Sequence, residues 1–222
     1  MSESGARSFR VVLLGPPASG KGTQGRGLAE KLGLGYLSTG ALLREQLENG
    51  SELGKLAGPI LVRGEYLPDD LMCRIITGWL ERQTGGWVLD GFPRSLPQAV
   101  FLDSWLAERN AKLHAAISLE VPFEELLHRM RTRVECPECR WTGQIGQTGA
   151  GNGCPVCPAT VVPRADDTEE NFRSRYQEFL RHTQPVIGYY QDLKLLCPCD
   201  ATAPRDEVAA RLLQLVVSSP KV

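Results

Sequence analysis

Two hydrophobic rhythms alternate along this chain. Short, continuous apolar runs occur at Phe9–Leu14, Trp87–Leu89 and Ala115–Leu119, with weaker ones at Gly35–Leu37 and Lys194–Cys197. Between them the apolar residues recur at helical spacing. A continuous run, as opposed to strict alternation, is what a strand covered on both faces requires. Strands separated by helices predict an α/β fold: a five-stranded parallel sheet with helices on both faces and ligands at the carboxyl ends of the strands.

The helical stretches carry their own punctuation. Leu28, Ala29 and Leu32 share a face and Gly33 ends it. Ala41 to Val62 reads as two helical pieces broken around Asn49-Gly50-Ser51, and Leu67-Pro68-Asp69-Asp70 leads into a helix whose first-turn aspartates suit its dipole. Helices are expected over Leu96–Arg109, over Phe123–Arg133 after Val121-Pro122, and over Glu207–Val217, with Ser218–Val222 fraying. Thr168-x-x-Asn171 forms an imperfect capping box for a long helix displaying Phe172, Tyr176, Phe179 and Leu180, which Pro185 should interrupt or kink.

The first strand runs into Gly15-Pro16-Pro17-Ala18-Ser19-Gly20-Lys21-Gly22-Thr23-Gln24. Backbone amides that close around phosphate oxygens favour glycine, and a lysine must reach the terminal phosphates. The loop departs from G-x-x-x-x-G-K-[ST] because Gly22 precedes the hydroxyl residue, Thr23. A strand before it and a helix after it favour a phosphate cradle over a merely glycine-rich turn.

Composition narrows the partners. The 222 residues, 42% hydrophobic, suit one core with insertions, and no apolar run is long enough to span a membrane. Met1 to Arg10 shows no secretory pattern, so the cytosol is the expected compartment. Twenty-five basic residues against 26 acidic ones give a net charge of −1, so a bound anion must be met by local placement; this argues against a general nucleic-acid binder. Nineteen arginines against six lysines suit bidentate phosphate recognition, although genome composition gives the same bias.

Val134 to Pro163 breaks the rhythm. Cys136-Pro-Glu-Cys139 and Cys154-Pro-Val-Cys157 are two C-x2-C turns with 14 residues between them, the pattern of a tetrahedral S4 zinc site, slightly short in its interval. A loop of this size cannot bury enough apolar surface to hold itself, so a metal staple has a physical purpose; two disulfides or four free thiols are the competing readings. Arg129, Arg131 and Arg133 precede the segment and Arg164, Arg173 and Arg175 follow it, so arginines should converge at its root and grip a phosphate. Cys197-Pro-Cys199 reads as core and loop thiols or a redox pair, and Cys73 as packing. None of the three histidines is placed for catalysis.

Six motifs in order, the phosphate loop, Ser38-Thr-Gly-Ala-Leu-Leu-Arg44, Gly64-x2-Leu-Pro-Asp-Asp70, Leu89-Asp-Gly-Phe-Pro-Arg94, Pro97-Gln-Ala99 and Arg164-Ala-Asp-Asp167, resemble the adenylate kinases, in their long bacterial form with a zinc-binding lid. The resemblance runs from about Phe9 to Leu215. It implies reversible phosphoryl transfer from MgATP to AMP by a monomer that binds neither nucleic acid nor membrane. It implies a P-loop core at 1–37, 68–133 and 168–222, an AMP-binding segment at 38–67 and a zinc-stapled lid at 134–167. Gly15, Ala18, Ser19, Gly20, Lys21, Gly22, Thr23 and Arg129 would bind ATP. Thr39, Arg44, Leu67, Gly91, Arg94, Gln98, Arg164 and Arg175 would bind AMP, with Gln98 on the adenine edge. Lys21, Arg94, Arg133, Arg164 and Arg175 would act on the transferring group, Asp90 would hold Mg2+ through water, and Cys136, Cys139, Cys154 and Cys157 would ligate zinc. The monophosphate acceptor is already anionic, so charge neutralisation and alignment replace a strong general base.

The chain departs from that family in three places. Ala18 stands where glycine is frequent, Ala41 where aspartate is usual, and Trp141 opens a lid stretch of unusual composition, best read as packing under the lid. Two competing functions remain: a UMP/CMP or broader nucleoside monophosphate kinase, and a zinc-ribbon nucleic-acid or docking protein on a degenerate P-loop.

Overall fold

The structure, a computed structural model, describes residues 8–218. The N-terminal residues 1–7, read above for a secretory pattern, and residues 219–222 of the expected frayed end lie outside the described residues.

Five parallel strands make the main sheet: β1 (Arg10–Leu14), β2 (Gly35–Ser38), β3 (Trp87–Asp90), β4 (Ala115–Glu120) and β8 (Leu196–Asp200), in the order β2-β3-β1-β4-β8. The continuous apolar runs are the reason. Val12, Leu14, Leu37, Leu89 and Ala116 face one core, while their neighbours Val11, Leu13, Val88, Ala115 and Ile117 face the other. On the second face lie α1 (Lys21–Leu32) and α9 (Arg205–Ser218), through Leu28, Ala29, Val208, Leu212 and Val216. The first face is covered by α4 (Asp69–Leu80), α5 (Leu96–Ala107) and α8 (Gln184–Asp192), with Ile76, Leu102, Leu106 and Tyr190 fully buried. The sheet is therefore sandwiched, as its sequence predicts.

Several boundaries differ from expectation. The last strand starts two residues and ends three residues later than Lys194–Cys197 and includes Pro198, which is tolerated because β8 pairs with β4 and sits at the sheet edge. The helix α6 (Phe123–Arg131) stops before Arg133, which instead begins a short strand, and α9 starts at Arg205, not Glu207. Pro185 produces no simple kink. Between α7 (Glu169–Glu178) and α8, residues Phe179–Thr183 wind as a π-helix, and the Gln184 amide donates to Phe179 O, five residues back. That extra residue brings Pro185 into the first turn of α8, where its missing N–H interrupts no ladder.

Two excursions project from the carboxyl ends of the strands. One is the helix pair α2 (Thr39–Glu48) and α3 (Glu52–Val62), joined at Asn49-Gly50-Ser51, where the Ser51 side chain caps α3. The other holds a small antiparallel sheet of β5 (Arg133–Glu135), β6 (Thr142–Gln144) and β7 (Val162–Pro163), in the order β6-β5-β7. Its apolar content is slight: Val134, Cys136 and Val161 are buried, with Trp141 half-buried against them. A Cβ on Gly143 would lie 2.2 Å from the Trp141 ring, so the indole packs on the bare backbone of β6.

Candidate active site

A cavity of about 1110 Å3 opens above the carboxyl ends of β1 and β3, between the two excursions. Ten basic side chains line it against five acidic ones, although the chain as a whole is near neutral. The positive charge is placed locally.

The floor is the loop after β1. Gly15 (φ 139°), Ala18 (φ 63°) and Gly20 (φ 95°) all take left-handed backbone conformations, folding the loop tightly before α1 begins at Lys21. No side chain caps α1 and no acidic residue occupies its first turn, so its amides are left for an anion. Lys21 Nζ donates to Gly15 O and Pro16 O, both at 2.7 Å, and lies 3.3 Å from Ser19 Oγ. Burial pushes the Lys21 ammonium down to about 7; Asp90 works the other way, and Arg94, Arg175 and Arg133 add to the depression. A half-buried lysine held by its own loop carbonyls and repelled by three arginines is a cation awaiting an anion.

β3 supplies the next wall. Asp90, its last residue, is nearly buried, and Tyr36 from β2 places its hydroxyl 3.2 Å from both Asp90 Oδ2 and Gly22 O. Burial and the Asp90 charge both raise the Tyr36 pKa, keeping the phenol a donor. The chain then turns sharply at Gly91 (φ 81°), where a Cβ would meet Thr39 Oγ1 at 2.6 Å and Arg94 Nη2 at 2.7 Å. Thr39 Oγ1 donates to Gly91 O (2.9 Å), and Arg94 Nε donates to the same carbonyl (2.7 Å). A cis peptide joins Phe92 to Pro93.

Arginines from four elements and from the loop after β7 close the cavity. Arg133 forms a bidentate pair with Asp167, Nε donating to Oδ2 at 2.5 Å, and Arg164 forms another with Asp166 at 2.7 and 2.6 Å. Arg175 reaches Asp166 at 3.3 Å and Asp167 at 4.0 Å. Burial, then Arg164 and Arg133, push Arg175 down to about 9; burial and Arg164 push Arg44 down to about 10. Burial works against the Asp166 charge, but the Arg164 hydrogen bond and the charges of Arg164, Arg175 and Arg44 outweigh it and hold the carboxyl well below its usual range. At the far end Arg129 is braced by Glu125 Oε1 (2.7 Å) and Ala201 O (2.9 Å).

The structure brings most of the expected site residues to this one cavity. Gly15, Ala18, Ser19, Gly20, Lys21, Gly22, Thr23, Arg44, Asp90, Gly91, Arg94, Arg129, Arg133, Arg164 and Arg175 all line it. Thr39, Leu67 and Gln98 do not. Thr39 lies behind Gly91, Leu67 is in the main core, and Gln98 is 2% exposed with its amide engaged at both ends: Oε1 accepts from Arg94 N (2.8 Å) and Nε2 donates to Asp69 Oδ1 (2.7 Å).

The expected convergence of all six arginines needs correction. Arg131 and Arg173 point to the outer surface and share Glu169 (2.6 and 2.8 Å). The histidines are structural or solvated as expected: His114 packs on Phe9 and lies 3.0 Å from Val216 O, His128 is exposed, and His182 sits 3.6 Å from Glu178. Sequence reasoning missed Tyr36, Tyr66 and Thr183, which line the cavity, and gave Asp166 and Asp167 no role despite quoting their motif.

Above the cavity, Cys136, Cys139, Cys154 and Cys157 bring their four Sγ atoms within 4.8 Å of one another. Cys136–Cys157 and Cys139–Cys154 each stand at 3.5 Å, far beyond the roughly 2.05 Å of a disulfide. The cluster can hold a metal ion.

A sequence model of the family described as Adenylate kinase matches residues 13–195. Similar proteins named Adenylate kinase include one from Agathobacter rectalis, 36% identical over 212 residues (94% of this chain, 99% of that protein). Another, from Paracoccus denitrificans, is 37% identical over 219 residues (96% and 99%), and one from Thermotoga neapolitana is 38% identical over 216 residues (95% and 98%).

Proposed function

This chain belongs to the adenylate kinase family and transfers a phosphoryl group reversibly from MgATP to AMP, and we propose that the cations lining its cavity are the catalyst. The observation that carries this reading is Lys21, facing the cavity and destabilised as a cation by Arg94, Arg133 and Arg175. A polyphosphate entering there relieves that repulsion, and the spread of charge in the transition state is met by groups already in position.

In this reading the amides from Gly20 to Thr23, with Gly15, Ala18 and Ser19, cradle the ATP phosphates at the start of α1. Lys21 leaves the carbonyls of Gly15 and Pro16 for a phosphate oxygen. Arg129 lies over the ATP base. Arg44 and Arg94 hold the AMP phosphate, with Thr39 and Gly91 shaping its seat, Leu67 backing the base and Gln98 set against its edge. The engaged amide of Gln98 supports a role in which it also holds Arg94 N in register. Arg133, Arg164 and Arg175 exchange their aspartate partners for the transferring group. That exchange costs little because one set of charge-assisted bonds replaces another.

Asp90 suits a cation held through water: its carboxylate reaches the cavity beside Gly22, and Tyr36 occupies one oxygen. Mg2+ supplies charge neutralisation on the phosphates when bound with ATP. The four thiols fit zinc, because ligands about 2.3 Å from a tetrahedral centre stand about 3.8 Å apart, and the observed pairs at 3.5 Å, all within 4.8 Å, match that scale. Zinc supplies the folding free energy that this small sheet lacks. Residues 134–167 are then the lid and 38–67 the AMP-binding segment. Thiols kept as ligands suit a reducing compartment, and we assign the protein to the cytoplasm.

The test is ADP formation from MgATP with AMP, CMP, UMP and GMP as separate acceptors. AMP should be used far faster than the others, and Lys21→Ala should lower kcat by at least about a hundredfold. Equal rates with AMP and CMP would overturn the adenine assignment; an active Lys21→Ala would overturn the role of the lysine.

A further inference from the structure

Arg94 is held with unusual thoroughness. Its amide donates to Gln98 Oε1 (2.8 Å), its Nε donates to Gly91 O (2.7 Å), and its Nη2 lies 3.4 Å from Thr39 Oγ1. Two further contacts come from outside this neighbourhood. Thr183 Oγ1 donates to Arg94 O (3.0 Å), and the Tyr66 ring lies under the guanidinium, 4.7 Å from Cζ to the centroid. The same two residues touch each other, with Tyr66 Oη and Thr183 Oγ1 3.2 Å apart. Thr183 has committed its only proton to Arg94 O, so Tyr66 is the donor in that bond.

The placement of Thr183 depends on the π-turn. Thr183 is the last residue of Phe179–Thr183 and is 4% exposed, while Arg181 before it is exposed. One added residue in a helix rotates the following side chains by about 100° relative to a regular continuation. The added residue here coincides with an inward hydroxyl that meets a loop carbonyl 89 positions away in sequence. Such bulges recur at functional sites.

We propose that Tyr66 and Thr183 are positioning residues for recognition of the AMP phosphate. They form a strut from the loop after α3, through the π-turn, to Arg94, fixing both its carbonyl and the face of its guanidinium. The inference rests on the reading that Arg94 binds that phosphate. A cation–π contact on a partly buried arginine and a hydroxyl bond restrict its swing, so their loss appears as weaker binding of the phosphate alone.

The experiment compares Tyr66→Leu, Tyr66→Phe, Thr183→Val and Arg94→Ala by steady-state kinetics, with adenosine as a competitive inhibitor lacking the phosphate. Tyr66→Leu should raise KM for AMP about tenfold and leave KM for ATP within about twofold. Tyr66→Phe keeps the ring and should raise it only about threefold, and Thr183→Val should match Tyr66→Phe. Adenosine inhibition should be unchanged in all three. A Tyr66→Leu enzyme that loses adenosine and AMP equally would overturn the proposal, because the ring would then touch the base itself. So would an unchanged KM for AMP in both Tyr66→Leu and Thr183→Val while Arg94→Ala abolishes AMP use. If Arg94→Ala leaves KM for AMP unchanged, the reading beneath the proposal fails instead. Thr183→Val, which is nearly isosteric, keeps the test valid if Tyr66→Leu does not fold.

Discussion

Lys21 shows how a single side chain can record a missing ligand. With its ammonium pushed down to about 7 by burial, about half of the unliganded protein carries a neutral lysine at that pH. A polyphosphate favours the charged form and raises the pKa, so nucleotide binding takes up a proton wherever pH lies above the free value and below the bound one. Calorimetry of ATP binding at about pH 8, in two buffers of different ionisation enthalpy, should report uptake approaching one proton, and at about pH 5.5 almost none. Lys21→Met should abolish the difference; an uptake that survives this change belongs to another group. Ala18 presents the opposite case, a residue in a conformation it resists. Its φ of 63° costs about 1 kcal/mol, and its half-buried methyl packs against the cluster of Leu126, Leu127, Met130 and Phe172. Partial burial of that methyl offsets part of the cost, which helps alanine to stand where glycine is the easier choice. Valine has no such balance, being β-branched at positive φ and too large for the packed wall. Ala18→Val should lower stability by about 2 kcal/mol in urea denaturation; an unchanged midpoint would refute the strain.

At the scale of elements, what the sequence revealed depended on whether burial wrote a period into it. β1, β3 and β4 are covered on both faces, so Val11–Leu14, Trp87–Leu89 and Ala115–Ile117 are unbroken apolar runs and plain in the sequence. β8 is an edge strand in which Cys199 is buried between exposed Pro198 and Asp200, so its second half wrote no continuous apolar run. The lid strands were invisible for a different reason: a cluster of four thiols and a hairpin organise them, with almost no core. The π-turn has no compositional mark at all, since one skipped hydrogen bond changes no residue type. The arginines were half legible. Arg129 lies on the cavity side of α6, and two residues along a helix is about 200°, which turns Arg131 outward; the same step separates Arg173 from Arg175 on α7. The proposal that zinc staples residues 134–167 gives a prediction at this scale. A chelator strong enough to strip zinc should unfold residues 134–167, with transfer falling at least tenfold, while the helical circular dichroism of the core persists. Full activity in verified metal-free protein would show that the small sheet and Trp141 hold the lid unaided.

On the scale of the whole molecule, the two excursions meet across the cavity mouth. Arg140, just beyond the second cysteine of the first turn, forms a bidentate pair with Glu48 at the end of α2, with Nη1 at 3.1 Å from Oε1. This contact joins the four-cysteine cluster to the helix pair α2 and α3, 92 positions apart in sequence. The Arg140 hydrogen bond lowers the Glu48 pKa, so the pair is ionised throughout the working range. Both side chains are about half exposed, which limits the pair to about 0.2–1 kcal/mol, enough to shift the ratio of closed to open lid by roughly 1.5- to 5-fold. In the function proposed above, closure excludes water as a competing acceptor and brings the arginines together, while opening releases product. Glu48→Gln should therefore raise KM for both nucleotides by about twofold to fivefold. Its kcat should hold or rise, because release becomes easier and no group at the phosphates has changed. Salt gives a second view of the same pair. At about 1 M ionic strength the Debye length falls to about 3 Å and the exposed pair is screened. All phosphate contacts weaken in that medium, so absolute constants do not discriminate, but the variant-to-wild-type ratio of KM does: it should fall toward one as salt rises. A ratio near one already at low salt would show that the contact across the mouth does not contribute to closure.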